Sequence, residues 1–251
     1  MSIVNPPKCY LEISCQGSCG KILQEQASTI LVPYSSSFPF ISIREPENLL
    51  NGSNITDSPA SKTRKMEPEN QALTPGIGLM LMFSQKAQQN THRILHSVNE
   101  SQDWEVVNLP KEITDCDETF FENKSFGGPL WAIKSMSPFS GVRIILFVNK
   151  NLDQVEAFYS LITGKKALAY NKIEEGLSSR TFPLSKQLEL HLVSHPSLHS
   201  KKLHNVALCF GINDINKLCS EIAGGIRNLG EDHWQVKDPD GNIVILYSLL
   251  K

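Results

Sequence analysis

No apolar stretch in the 251-residue chain approaches the roughly 18 residues that a bilayer-spanning helix needs. The start, Met1-Ser2-Ile3-Val4-Asn5-Pro6-Pro7-Lys8, lacks the basic segment and apolar run of a secretory leader. An intracellular chain without a membrane segment is therefore expected, resident in the nucleus or the cytoplasm. An excess of one charge is missing too. The 24 Lys and Arg residues stand against 26 Asp and Glu, which gives no bias toward nucleic acid or an anionic surface. Cysteine is sparse: Cys9, Cys15, Cys19, Cys116, Cys209 and Cys219 are too scattered for a disulfide scaffold. Cys15 and Cys19 bracket a turn, but no second pair follows at zinc-finger spacing, so free thiols are expected. Without a leader, the Asn-x-Ser/Thr sequons at Asn51, Asn54, Asn99 and Asn123 carry no glycosylation signal. The chain also contains no Gly-Lys-Ser/Thr phosphate loop, no Gly-x-Ser-x-Gly elbow and no His-Glu-x-x-His helix.

What is present is 40% apolar residues, enough to build real cores. Residues 8–15 alternate like a strand, 17–31 carry helical apolar spacing through Ile22, Leu23, Ala27, Ile30 and Leu31, and 37–44 read as a second strand. A segment of Pro, Asn, Ser, Thr and Glu follows, with Glu-Pro-Glu-Asn at both 45–48 and 67–70. It buries too little to offset its ordering entropy, so residues 46–75 are expected to be a disordered insert. Its Lys62, Arg64 and Lys65 make a short basic group whose default reading is a solvated linker. A second β-α-β unit is expected from a strand at 77–83, a helix at 85–98 with Ile94, Leu95 and Val98 inward, and a strand at 104–109. The acidic run between Glu112 and Glu122, with Asp115, Asp117 and Glu118, reads as a solvated loop because no histidine accompanies it.

Beyond Gly127-Gly128-Pro129 the pattern sharpens. Residues 142–148 form a nearly unbroken β-branched run, and Asn151 caps a helix that keeps Leu152, Val155, Phe158, Tyr159 and Ile162 on one face until Gly164 stops it. Strands are expected at 167–170, 178–184 and 188–193. The order then repeats with a strand at 205–212, a helix at 214–222, a short extended piece at 226–229, and two strands joined at Asp238-Pro239-Asp240-Gly241-Asn242. Asp-Gly between alternating apolar strands is a strong hairpin signal. Two β-α-β-β-β units, each too small to bury its own sheet face, are expected to pair into one cup.

The segments 152–159 and Phe210-Gly211-Ile212-Asn213-Asp214-Ile215, together with the Asp-Pro-Asp-Gly-Asn hairpin, resemble glyoxalase-like modules of the vicinal-oxygen-chelate superfamily. A closer resemblance, to the Family With Sequence Similarity 124 proteins, rests on Gly128-Pro129-Leu130-Trp131-Ala132-Ile133, Val142-Arg143, Phe158-Tyr159, Trp234-Gln235 and Asp240-Gly241-Asn242. It implies an α+β chain in which a glyoxalase-like domain of two consecutive modules, 139–251, follows an N-terminal α/β domain of two β-α-β units, 1–45 and 76–138. That N-terminal domain is expected to be ferredoxin-like or divergent glyoxalase-like. The family brings no established catalytic activity with it.

In catalytic members of the superfamily, the first and last strands of each module carry His, Glu or Gln ligands to a metal that polarises substrate oxygens. Here the resemblance puts those positions at Ile144 or Ile145, at Ala207 and at Ile245, none of which binds a metal. Only the last strand of the first module, with Glu189 and His191 on one face, offers side chains of the right type. His195, His199 and His204 fall in the adjoining loop. The expectation is a non-enzymatic binding or protein-interaction module with no catalytic residue, no cofactor and an unidentified protein partner, a homodimer being one form. The alternative is a lyase, isomerase or dioxygenase using Zn, Ni, Mn or Fe on Glu189, His191 and His204. A third reading is a metal-free small-molecule binder, which needs a cup open to solvent.

Overall fold

A computed structural model describes residues 9–15, 20–21, 23–25, 40–44, 72–124, 128–138, 140–172, 176–222, 225–230 and 232–249. Strand β1 (Cys9–Ser14) comes first, residues 20, 21 and 23–25 are helical, and β2 (Ile41–Arg44) pairs parallel to β1. Next are β3 (Ala72–Pro75), β4 (Ile77–Ser84), a 3-10 turn (Gln85–Ala87), helix α1 (Gln88–Glu100), β5 (Trp104–Val107), β6 (Glu118–Asn123) and β7 (Leu130–Ser137). The second half holds β8 (Gly141–Phe147), α2 (Leu152–Thr163), β9 (Leu168–Lys172), β10 (Leu177–Pro183), β11 (Leu188–Ser194) and β12 (Leu198–Lys201). It ends with β13 (Val206–Ile212), α3 (Ile215–Glu221), β14 (Arg227–Gly230), β15 (His233–Lys237) and β16 (Ile243–Ser248).

The local signals in the sequence act as expected. Asn151 Oδ1 accepts from the amides of Asp153 at 2.9 Å and Gln154 at 3.4 Å, and Gly164 ends α2 at φ 63°. Asp214 caps α3 through the Lys217 amide at 3.0 Å. The hairpin joins β15 and β16 as an antiparallel pair, with Gly241 at φ 89°.

Strand pairing departs from the expected arrangement. The region read as a β-α-β unit at 77–109 continues through β6 and β7, and β4 pairs parallel to β7, so it is itself a β-α-β-β-β module. The described residues thus carry three such modules, in which the first strand runs parallel to the fourth: β4 with β7, β8 with β11, and β13 with β16. The two modules expected to share a cup lie in different sheets. Module β8–β11 joins module β4–β7 through the antiparallel first strands β4 and β8, giving the eight-stranded order β5-β6-β7-β4-β8-β11-β10-β9. Module β13–β16 instead pairs β13 with β1, giving the six-stranded order β14-β15-β16-β13-β1-β2. Residues 77–137 and 141–194 therefore share one sheet across the boundary expected at 138–139. The physical reason is that each first strand has a second edge, which needs a hydrogen-bonding partner. Alternating residues specify the buried face of a strand but not which strand fills that edge.

A further correction concerns the end of the expected insert. Ala72–Pro75 forms β3, paired in parallel with β12. Residues 46–71, with the basic group at Lys62, Arg64 and Lys65, lie outside the described residues.

The central strands of the eight-stranded sheet pack apolar side chains on both faces. Leu79 and Leu81 on β4, Ile144 and Leu146 on β8, and Leu190 and Leu192 on β11 point into a large core shared with α1, α2 and the six-stranded sheet. Residues of the other parity, among them Met80, Ile145, Phe147 and Val193, form a second apolar cluster on the opposite face. The sheets are also tied together by polar groups. Asp240 accepts from the amides of Asn149 at 2.7 Å and Lys150 at 3.1 Å, just before α2. Asp238 accepts from the Tyr159 hydroxyl at 2.9 Å and, at 2.8 Å each, from the Asn242 amide and side chain. Burial raises the Asp238 carboxyl, against the lowering effect of those donors. The hairpin motif is thus a structural clasp between the modules.

Candidate functional site

On the face away from the main core, the eight-stranded sheet carries a cavity of about 260 Å³, lined in part by Met80, Ile145, Phe147, Lys134, Arg143 and His191. Strand register explains why these side chains converge. Met80 on β4 stands opposite Arg143 on β8, and Arg143 stands opposite Glu189 on β11. His191, two residues along from Glu189, shares its face and pairs across to Thr181 on β10. On the other side, Lys134 of β7 stands opposite Glu118 of β6.

The polar groups form two ion-paired clusters and one neutral pair. Arg143 Nε donates to Glu189 Oε1 at 2.5 Å, with side chains 19% and 12% exposed. Lys134 Nζ donates to Asp115 Oδ2 at 2.5 Å and Glu118 Oε1 at 3.0 Å, and Asp117 Oδ1 lies 3.6 Å away. Burial pulls the Lys134 ammonium down, but its hydrogen bonds to Asp115 and Glu118 outweigh this and raise it overall. The hydrogen bond from Lys134 holds the Asp115 carboxyl below its ordinary value. His191 Nδ1 lies 2.8 Å from Thr181 Oγ1. Burial, then the charges of Arg143 and Lys134, push the imidazole down to about 3, so it is neutral at physiological pH.

The expected metal positions do not converge. Ile145 lines the cavity, whereas Ile144 points into the core on the other face. Ala207 and Ile245 belong to β13 and β16 of the six-stranded sheet, so they cannot share a cup with Ile145 and His191. Of the three candidate ligands, Glu189 is occupied by Arg143, His191 lines the cavity, and His204 is exposed in the β12–β13 loop outside the cavity lining. His195 bonds Ser197 Oγ at 2.6 Å, and His199 Nε2 is buried without a hydrogen-bond partner, neither residue lining the cavity. The acidic run read as a solvated loop supplies Asp115, Asp117 and Glu118 to Lys134. Sequence reasoning missed Lys134, Arg143, Thr181 and Met80. The available signal was a lone lysine inside the apolar strand at 130–137, together with β-rich segments at 118–123 and 130–137 that complete the module begun at 77.

The donor set does not suit a divalent cation. The first and last strands of the two modules present Met80, Lys134, Arg143, Glu189 and His191 here, and two of these are cations that would repel a metal. Among the described residues, no group of three or more His, Cys, Asp or Glu side chains is arranged to hold a metal ion.

Modules of β-α-β-β-β order, joined through their first strands around a cavity, define a glyoxalase-like fold. The model of the FAM124 domain matches residues 9–247, and the chain belongs to that family. No curated protein matches the chain. Among solved structures it is similar to glyoxalase I from Zea mays, at 13% identity over 72% of this chain and 69% of that one, with a TM-score of 0.47. It is also similar to the cppA protein from Streptococcus pneumoniae TIGR4, at 8% identity over 97% of this chain and 98% of that one, with a TM-score of 0.41. A putative dioxygenase from Bacillus subtilis matches at 8% identity over 71% of this chain and 63% of that one, with a TM-score of 0.43. No helix among the described residues is long and apolar enough to cross a membrane.

Proposed function

We propose that this protein is a non-catalytic, metal-independent small-molecule binder whose ligand occupies the cup of the eight-stranded sheet. The observation that carries the reading is an open cavity of about 260 Å³ in which the charged side chains on the first and last strands of the two modules are already paired within the protein. The lining joins an apolar patch around Met80, Ile145 and Phe147 to a larger set of charged and polar side chains, a composition that favours a ligand with both an apolar and a polar part. Work inside the cell is part of this reading, and it is supported by Cys116 and Cys219, free and exposed thiols suited to a reducing compartment.

The test is thermal unfolding with Zn, Ni, Mn and Fe(II), each with a chelator control, beside a library of small organic fragments. A ligand at 100 times its dissociation constant stabilises a fold by about 2.7 kcal/mol, which moves the midpoint by several degrees. Saturable shifts with fragments and none with metals are expected. A saturable metal shift abolished by His191→Ala would overturn the reading.

A further inference from the structure

The cup's hydrogen-bonding capacity is unevenly used. Asp115, Asp117 and Glu118 converge on Lys134, Glu189 accepts from Arg143, and Thr181 faces His191. Glu112 is exposed at the rim. Arg143 is different. A guanidinium has five N–H donors, and among the described residues only the one on Nε meets an acceptor, Glu189. The donors on Nη1 and Nη2 have no protein partner, although the side chain is only 19% exposed and lines the cavity. A fork of charged donors left unused on a partly buried side chain becomes a strong arrangement when a planar anion fills it. Beside it, the Nε2 edge of His191 is likewise without a protein partner. Lys172, Thr114, Ser179 and Tyr170 also line the cavity, and its apolar part, with Met80, Ile145, Phe147 and Val193, belongs to one packed cluster.

Resting on the cup as the ligand site, we propose that its ligand is a small organic monocarboxylate. Its carboxylate is forked on Arg143 Nη1 and Nη2 beside His191, and its apolar body lies against Met80, Ile145, Phe147 and Val193. The unused Nη1 and Nη2 donors of the Glu189-paired guanidinium form one fork, which fits one carboxylate. A dianion such as a phosphate monoester would carry more negative charge toward Glu189 and Glu118 than a monocarboxylate does. The cavity volume of 260 Å³ equals that of about nine liquid waters, which suits a compact acid with a short aromatic or branched side chain. In this arrangement Arg143 supplies fixed, charge-assisted donors to the ligand's oxygens.

The experiment is calorimetric titration of the full chain with phenylacetate and isocaproate, their primary amides, and the amines of matching skeleton. Saturable binding of the acids, at least tenfold tighter than the amides or amines, is the expected result. The double variant Arg143→Gln/Glu189→Gln, which removes both charges together, should lose that preference while retaining its fold. The His191 ring signals of the unaltered chain, followed by NMR, should move on acid addition with the same dissociation constant. Amides or amines binding as tightly as the acids would overturn the carboxylate assignment and leave the cup as a binding site. Absence of binding by all three classes would overturn both. Unchanged acid affinity in the double variant, or His191 signals unmoved at saturation, would remove the carboxylate from Arg143.

Discussion

Tyr159 on α2, fully buried, donates its hydroxyl to Asp238 Oδ2 at 2.9 Å, and so joins a helix of the second module to the hairpin of the third. Two sheets assembled from non-adjacent parts of the chain are thereby held in one orientation. Replacing Tyr159 with Phe leaves the ring packing in place and removes a donor from a buried carboxyl. Hydrogen bonds to charged groups contribute about 1.5–3 kcal/mol, so Tyr159→Phe should lower unfolding free energy by about that amount in urea titration. Asp238→Asn should cost at least as much, because its amide NH2 would face the donors on Tyr159 or Asn242.

The turn beside it is sensitive for a backbone reason. Gly241 sits at φ 89°, and a Cβ there would lie 2.6 Å from Lys202 Nζ. That lysine end is flexible and can withdraw, so the conformational strain dominates. Gly241→Ala should destabilise by about 1–2 kcal/mol, readable as a drop in melting temperature, with little change from Lys202→Ala.

Lys134 holds three carboxylates of unequal burial. Glu118 is 7% exposed and Asp115 57%. Removing the lysine strands a buried charge, so Lys134→Ala should cost about 3 kcal/mol, whereas Asp115→Asn should cost less than about 1 kcal/mol. The comparison is made by chemical denaturation at fixed salt. Equal losses would mean that Asp115 is as desolvated as Glu118.

His191 gives the stability a definite pH dependence. Its value falls from 6.5 in the unfolded chain to about 3 in the fold. Its contribution is therefore complete above the unfolded value and is lost as pH drops through 6.5 toward 3, because the unfolded chain then binds the extra proton. The slope is at most about 1.4 kcal/mol per pH unit. His191→Gln should flatten the stability profile between pH of about 6.5 and about 4, measured by urea midpoints. A variant as steep as the parent would mean that the imidazole titrates normally.

The parts of this fold that the sequence spells out are those with local causes. Asn151 and Gly164 bound α2 because caps act within one turn, and Asp-Gly marks the last hairpin because a positive φ is needed within five residues. Strand pairing has no such local cause. Nothing near Val142 states that its outer neighbour is Leu81 rather than a strand of the third module. The cup escaped for the same reason: Lys134 lies 19 residues from Asp115 and Arg143 lies 46 from Glu189. Attention to the expected ligand positions passed over Arg143, the residue just before Ile144. The shared face of Glu189 and His191 was legible from their two-residue spacing on one strand, whereas a loop gives no direction to the side chain of His204.

The cup's two halves meet along β4 and β8, six residue pairs of uninterrupted antiparallel ladder from Ile77 to Met82. A hinge placed there would have to break the most deeply buried strands in the molecule. The walls of this vessel are consequently built before any guest arrives, and entry is a matter of passing the rim. In such a site the ordering cost of capture falls on the guest and hardly at all on the host, so affinity should follow how stiff the guest is when free.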